Sequence, residues 1–358
     1  MIGEHAAAEA EALRRSADLL AGLAEGAPAE TDLRRHADHL IAELARIAAA
    51  AQSPTAGPAG PTEWERLAGL RQEAARLRAQ ALSYAQALLL RRAGLDGGAG
   101  EAAEALVAFL CRAAGLDNRI VLGVDAGPES FTRDLDLVRL PPHPDVWHLP
   151  AVAHESGHYA VREVRHAADK DRRPLRELIE LIEGGEAAPA HAEELVADAF
   201  ATYALGPAYP LSCVALRIDP TTAHLSGPTH PSWDRRIHVL LHLLAAMDAR
   251  YGTGQYGAGA DRVKTLWARL TGRPEPDRDG GPSPAASILA QLDRHLPAAR
   301  YEAGSLLVRA REALRTRAVP PPGVTPAHLL NAAWSLRLRG ERVAGLDARV
   351  LTLLARKD

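Results

Sequence analysis

Apolar residues recur every three or four positions along most of this chain, the spacing that gathers them on one side of an α-helix. Between Ala6 and Ala51, Leu13, Leu19, Leu20 and Leu23 mark one face, and Leu40, Ile41, Leu44 and Ile47 mark a second. Two amphipathic helices follow, broken near Gly26-Ala27-Pro28. The run Ser53 to Pro61 is rich in Pro and Gly and cannot continue a helix. After it, Thr62 with Glu65 three residues on suits a capping box. The long helix it would open runs toward Ala93, carries Leu67, Leu70, Leu77, Leu82 and Leu88 to Leu90, and stops at Gly94.

The period changes from Arg119. Ile120 to Val124 is a short apolar run, and Phe131 to Val138 alternates polar and apolar residues as a half-buried strand does. Pro141, Pro142 and Pro144 end it. Helical spacing then returns: one helix from Leu149 or Pro150, then Arg176 to Ile182 and Ala192 to Ala204, separated by Gly184-Gly185. A Gly/Pro/Asp-rich stretch from Gly272 to Ser283 precedes helices near Ala285–Leu296, Tyr301–Leu314 and Pro326–Leu338. The expected class is mostly α with a small β-sheet (α+β). The expected divisions are helical regions at 1–52 and 62–116, a core at 117–270 and a C-terminal helical region at 284–358.

Composition supports helices: 47 % of the 358 residues are apolar but only 4 % are aromatic, so the core is built of Leu, Ala and Val. A formal net charge of -3 gives no reason to expect nucleic acid or an anionic membrane as partner. Cys111 and Cys213 both lie in apolar runs and read as buried free thiols. No uncharged apolar stretch reaches the ~20 residues that span a bilayer. No basic-then-apolar leader is visible at the start, so the expected setting is the cytoplasm.

His154-Glu155-Ser156-Gly157-His158 changes the picture most. Residues four apart share a helix face, so His154 and His158 can offer two imidazoles to one ion, with Glu155 placed to take a proton from water. Gly157 costs about 1 kcal/mol of helix propensity against Ala, which close approach of another backbone or of a substrate would explain. A catalytic zinc site wants a third protein ligand and an open position. Glu194 and Asp198, again four apart, sit in the apolar run Leu195 to Ala201, where two carboxylates need partners. Glu194 is the candidate third ligand. Asp198 is the candidate acceptor for the outer nitrogen of a ligand histidine. His191 is a weaker alternative to Glu194.

An H-E-x-x-H pair followed on a later helix by E-x-x-A-D resembles the gluzincin zinc peptidases. Thr229-His230-Pro231 through Arg236-Ile237 is similar to the T-H-P-x-x-x-x-R-I stretch of the HtpX-like and CAAX-prenyl endopeptidases. The resemblance covers roughly residues 131–245 and implies a zincin-like core. It implies one Zn2+ per chain held by His154, His158 and Glu194, with Glu155 as base. It also implies that His230 lies near the metal or the reacting carbonyl oxygen, with Arg236 behind it in the wall. Phe131–Val138 would then be the edge strand that aligns an extended peptide. Members of that branch are membrane enzymes, and this chain offers no spanning helix, so a soluble variant acting on a polypeptide is expected. The terminal helices are candidate surfaces for a protein partner. The alternative is a catalytically silent zincin scaffold that regulates or binds a partner.

Overall fold

The computed structural model describes residues 2–25, 32–52, 61–94, 97–118, 121–124, 130–132, 137–140, 145–183, 189–252, 254–276 and 283–356. The breaks expected at Gly26-Ala27-Pro28 and Gly184-Gly185, and most of the Pro/Gly linker from Ser53, lie outside these residues. The chain divides into two compact units. One is Met1–Gly100 with Val121–Pro128 and Arg139–Pro142; the other is Glu101–Ile120 with Glu129–Val138 and His143–Asp358.

In the first unit, α1 (Ile2–Ala24), α2 (Asp32–Gln52) and α3 (Pro61–Arg92) pack pairwise on one another. The buried seam of α1 is Ala6, Ala10, Leu13, Ala17, Leu20 and Ala24, at alternating spacings of four and three. Leu19, expected on the apolar face, is 57 % exposed. The seam is therefore set by alanines, which let the backbones come close, and leucine counting alone misplaces it. Ala37, Leu40, Leu44, Ile47 and Ala51 supply the matching seam of α2.

The second unit is built around one helix. α7 (Pro189–Leu205) is packed by α5 (Pro150–Glu163), α6 (Pro174–Glu183), α9 (Trp233–Tyr251), α11 (Ala285–His295) and α13 (Pro326–Leu338). Every side chain from Leu195 to Leu205 is buried, as a helix enclosed on all sides requires. Gly157 lets α5 approach α7 closely. A Cβ there would sit 2.8 Å from the Ala197 Cα and 2.9 Å from its carbonyl oxygen. At its C-terminus α7 is closed by Gly206, whose φ of +60° suits glycine and whose N–H donates to the Thr202 carbonyl at 2.7 Å. The chain then turns into α8 (Ala208–Ser212) and a π-helical turn at Cys213–Arg217.

The remaining helices are α4 (Ala99–Ala114), α10 (Gln255–Thr271), α12 (Ser305–Thr316) and α14 (Leu346–Leu354). The last part of the chain belongs to the same unit as α7. Asn331 Nδ2 donates to the Leu205 carbonyl at 2.6 Å, and the Tyr301 N–H to the Tyr203 carbonyl at 2.8 Å.

The expected fold class needs correction, because the described residues are helical in their architecture and no sheet among them forms a layer of the core. Among the described residues, strands are limited to β1 (Val121–Val124), β2 (Ser130–Thr132) and β3 (Leu137–Leu140). Segments of three or four residues are too short to carry a packed face. The single strand expected at Phe131–Val138 is instead split between β2 and β3, with Asp134 and Asp136 outside the described residues. Alternation over so few positions was a weak signal, and the work of a sheet is done by helices on α7. Cys111 and Cys213 are both buried. Among the described residues, no single helix is long and apolar enough to cross a membrane.

Candidate metal centre

α5 begins at Pro150, whose fixed φ suits the first turn, and presents His154 and His158 from one face. Their rings lie 4.9 Å apart, nearly perpendicular. Across from them α7 contributes Glu194. His154 Nε2 is 3.3 Å from Glu194 Oε2, and His158 Nε2 is 3.3 Å from Glu194 Oε1. Three ligand atoms, one from each residue, lie within 4.8 Å of one another, so His154, His158 and Glu194 form a buried group that could hold a metal ion. Ligands about 2.1 Å from a tetrahedral ion are about 3.4 Å apart, so the spacing fits such an ion. One atom also asks for a ligand: Glu194 Oε2 is buried and has no hydrogen-bond partner. Two imidazole nitrogens and a carboxylate oxygen are donors that zinc accepts while keeping a position open.

The outer nitrogens are held by carboxylates on α7. His154 Nδ1 lies 2.8 Å from Asp198 Oδ1, and His158 Nδ1 lies 3.0 Å from Glu193 Oε1. Both Nε2 atoms are thereby turned toward Glu194. Asp198 is fully buried and collects three further donations. Arg236 Nε and Nη2 each reach it at 2.7 Å, and Tyr209 Oη donates to Oδ1. Tyr209 also stacks on His154, with its hydroxyl 3.1 Å from Nδ1. Glu193 and Tyr209 were not singled out from the sequence. Two adjacent acids on α7 were a usable signal, and both reach His158, Glu193 at its outer nitrogen and Glu194 at its inner one. Nothing local marks Tyr209, which the turn at Gly206 returns to the site.

These contacts fix the protonation of the ion-free cluster. Burial pushes the His158 imidazole down, but its hydrogen bonds to Glu193 and Glu194 outweigh that and bring it to about 10. His154 is also raised: burial opposes this, and Asp198 and Glu194 prevail. Burial would raise the Glu194 carboxyl, yet the two imidazoles and Arg236 hold it well below the usual carboxylate range. Asp198 is held low in the same way, with Arg236 the main opponent of burial and His154 next.

Glu155 is buried on α5, near enough to His158 for its charge to favour that imidazolium. Ser156 donates to the Val152 carbonyl at 2.8 Å, so its hydroxyl is committed to the helix. His230 is exposed in the loop before α9, with Nδ1 2.8 Å from Thr229 Oγ1 and Nε2 3.6 Å from Glu194 Oε1. Arg236, on the first turns of α9, is buried and spends its guanidinium on Asp198, with Nη2 also 3.5 Å from Glu194 Oε2. Its place is behind the ligands, where it orders two carboxylates. His191 is turned away to the Gly227 carbonyl, 2.9 Å from Nε2.

Compared with known proteins, the chain matches no protein-family model, no curated protein and no solved structure.

Proposed function

We propose that this protein is a zinc-dependent metallopeptidase of the gluzincin type. The observation that carries the reading is the buried trio His154, His158 and Glu194, with each imidazole steered from behind by an acid and Glu155 beside it. A site meant only to brace the fold would close its fourth position and would gain nothing from a buried extra carboxylate. Zinc held there would polarise the carbonyl of a peptide bond and make water a better nucleophile.

The protein's own groups supply the rest. Glu155 takes the proton from the attacking water and delivers it to the departing amine nitrogen. Asp198 and Glu193 keep the histidines in the tautomer that leaves Nε2 for the ion. Arg236 balances the charge of Asp198 and part of that of Glu194. His230, at the exposed rim, is placed to donate to the carbonyl oxygen as negative charge builds on it. The two buried cysteine thiols suit the reducing interior of a cell, where we place the enzyme.

The test is hydrolysis of a denatured-protein or peptide library by zinc-loaded protein, compared with Glu155→Gln at equal zinc content. Cleavage by wild type that falls at least 100-fold in the variant is expected. Loaded wild type that cuts nothing, or cleavage that survives Glu155→Gln, would remove the peptidase reading.

A further inference from the structure

Beside the candidate metal centre lies a cleft of about 470 Å3, within the range of small-ligand pockets. It shares two residues with the centre, since His230 and Arg236 line it and both approach Glu194. Three basic residues, Arg217, Arg236 and His230, are among those that line it, and no Asp or Glu is. Arg236 is taken up by Asp198. Arg217 comes from another element, the end of the π-helical turn after α8. Such wide turns recur where a helix is reshaped to present a side chain.

The Trp233 ring is within cation–π reach of both guanidinium groups. Arg236 Cζ is 4.3 Å and Arg217 Cζ 5.8 Å from its ring centroid. Leu225, 59 % exposed, and Pro231 add apolar wall. The loop that forms this side is stapled: Gly227 N donates to the His230 carbonyl at 2.9 Å, and Ser232 N to Ser226 Oγ at 3.0 Å. A preformed pocket with an apolar wall and a guanidinium suits a carboxylate on a short carbon stem, because Arg presents paired donors matched to it.

We infer that this cleft is a substrate pocket that selects peptides carrying a carboxylate next to the bond cut, with Arg217 as the residue that sets the preference. The carboxylate is either an acidic side chain or the peptide's own C-terminus. The inference deepens the peptidase reading and rests on it for the word substrate, while carboxylate binding can be measured without any cleavage.

The experiment uses zinc-loaded Glu155→Gln and three labelled ten-residue peptides, with binding read by fluorescence polarisation. One peptide has a central Glu and an amidated C-terminus, one has no acid and a free C-terminus, and one has neither carboxylate. Tenfold or tighter binding of a carboxylate peptide over the third is expected, and which of the first two wins identifies the source. Adding Arg217→Gln should cut that preference to twofold or less, Arg217→Lys should keep part of it, and Arg217→Glu should favour a fourth, amidated peptide with a central Lys. Equal binding of all three peptides overturns the inference even where an Arg217 variant does not fold. So does a preference that survives Arg217→Gln. A preference for carboxylates that depends on Arg217, with no cleavage by wild type, supports the pocket and removes the peptidase reading. Cleavage by wild type without acidic preference does the reverse.

Discussion

The three-helix bundle α1–α3 and the helices around α7 are made of similar material and solve different problems. Both pack Ala and Leu seams at helical spacing. Among the described residues of the bundle, Gln80 is the single buried polar side chain, and charged groups such as Arg46 and Glu73 pair at the surface. Around α7, by contrast, His154, Glu155, His158, Glu194, Asp198 and Arg236 are all buried. Placing an ion in a protein interior costs several kcal/mol unless partners offset it. A fold that needed only stability would have used the bundle's solution twice. The concentration of buried charge on α5, α7 and α9 therefore sets this region apart, and it holds the group that could bind a metal ion.

That contrast can be broken by mutation, and the largest effect is expected at Asp198. Asp198→Ala leaves Arg236 buried without its acceptor and should cost about 3–5 kcal/mol in urea denaturation. It should also weaken metal binding about 10- to 100-fold, since His154 loses its anchor. Leu13→Ala in the bundle should cost about 2–5 kcal/mol by leaving a cavity, with metal affinity unchanged. An equal loss of metal affinity in both variants would erase the distinction between the regions.

The pH dependence comes next. His158 sits near 10 and His154 is raised when no ion is present, so an ion must displace protons. Metal affinity, from competition with a chelator, should rise about tenfold per pH unit for each proton released between pH 6 and 8. The ion-free protein follows a definite sign. The raised histidines stabilise it fully below their ordinary value near 6.5, and that contribution fades as pH climbs toward 10. The lowered Glu194 and Asp198 stabilise it above their ordinary values near 4 and lose that as pH falls further. Tm of chelated protein should therefore peak between about pH 4.5 and 6.5. A Tm that climbs steadily from pH 6.5 to 9 would contradict this charge arrangement.

Glycines give the comparison opposite signs. Gly157→Ala forces a methyl against the Ala197 backbone and should destabilise by about 1–3 kcal/mol while loosening the metal group. Gly69→Ala in α3 meets nothing within 4 Å and should stabilise by about 1 kcal/mol through helix propensity. Both are read from thermal unfolding. The smallest effect is expected at the exposed Arg46–Glu73 pair, where Arg46→Ala should leave the unfolding temperature essentially unchanged, because water screens the pair.

How much of this was legible in the sequence varies by element. The spacing His154 to His158 needs only a helix to bring two imidazoles together, and the flanking apolar residues supply one. Glu194 and Asp198 stand out because carboxylates inside Leu195–Ala201 demand partners. Gly157 could be read as a close approach, and Ala197 is what approaches. The part of Glu193 was hidden because choosing between neighbouring acids requires the phase of α7 against α5. Tyr209 depends on the turn at Gly206 and on packing far along the chain. Arg236 could be placed near the centre, while its commitment to Asp198 depends on how α9 meets α7. In the fold, the helices expected after Pro150 are present, although α7 and α13 are buried almost all round and carry no single apolar stripe. The seam of α1 did not, since alanine is as good a seam residue as leucine where helices come close. The expected sheet failed for a related reason: a two-residue period over eight positions does not fix where a strand ends.

The most direct measurement is metal content by inductively coupled plasma mass spectrometry on protein purified without chelator. Wild type, Glu155→Gln, Glu194→Ala and the double variant His154→Ala/His158→Ala should be run together. One zinc per chain is expected in the first two, with loss in the double variant and a marked reduction in Glu194→Ala. Wild type with no zinc, or zinc retained when both histidines are removed, would contradict the metal centre on which the proposed function stands.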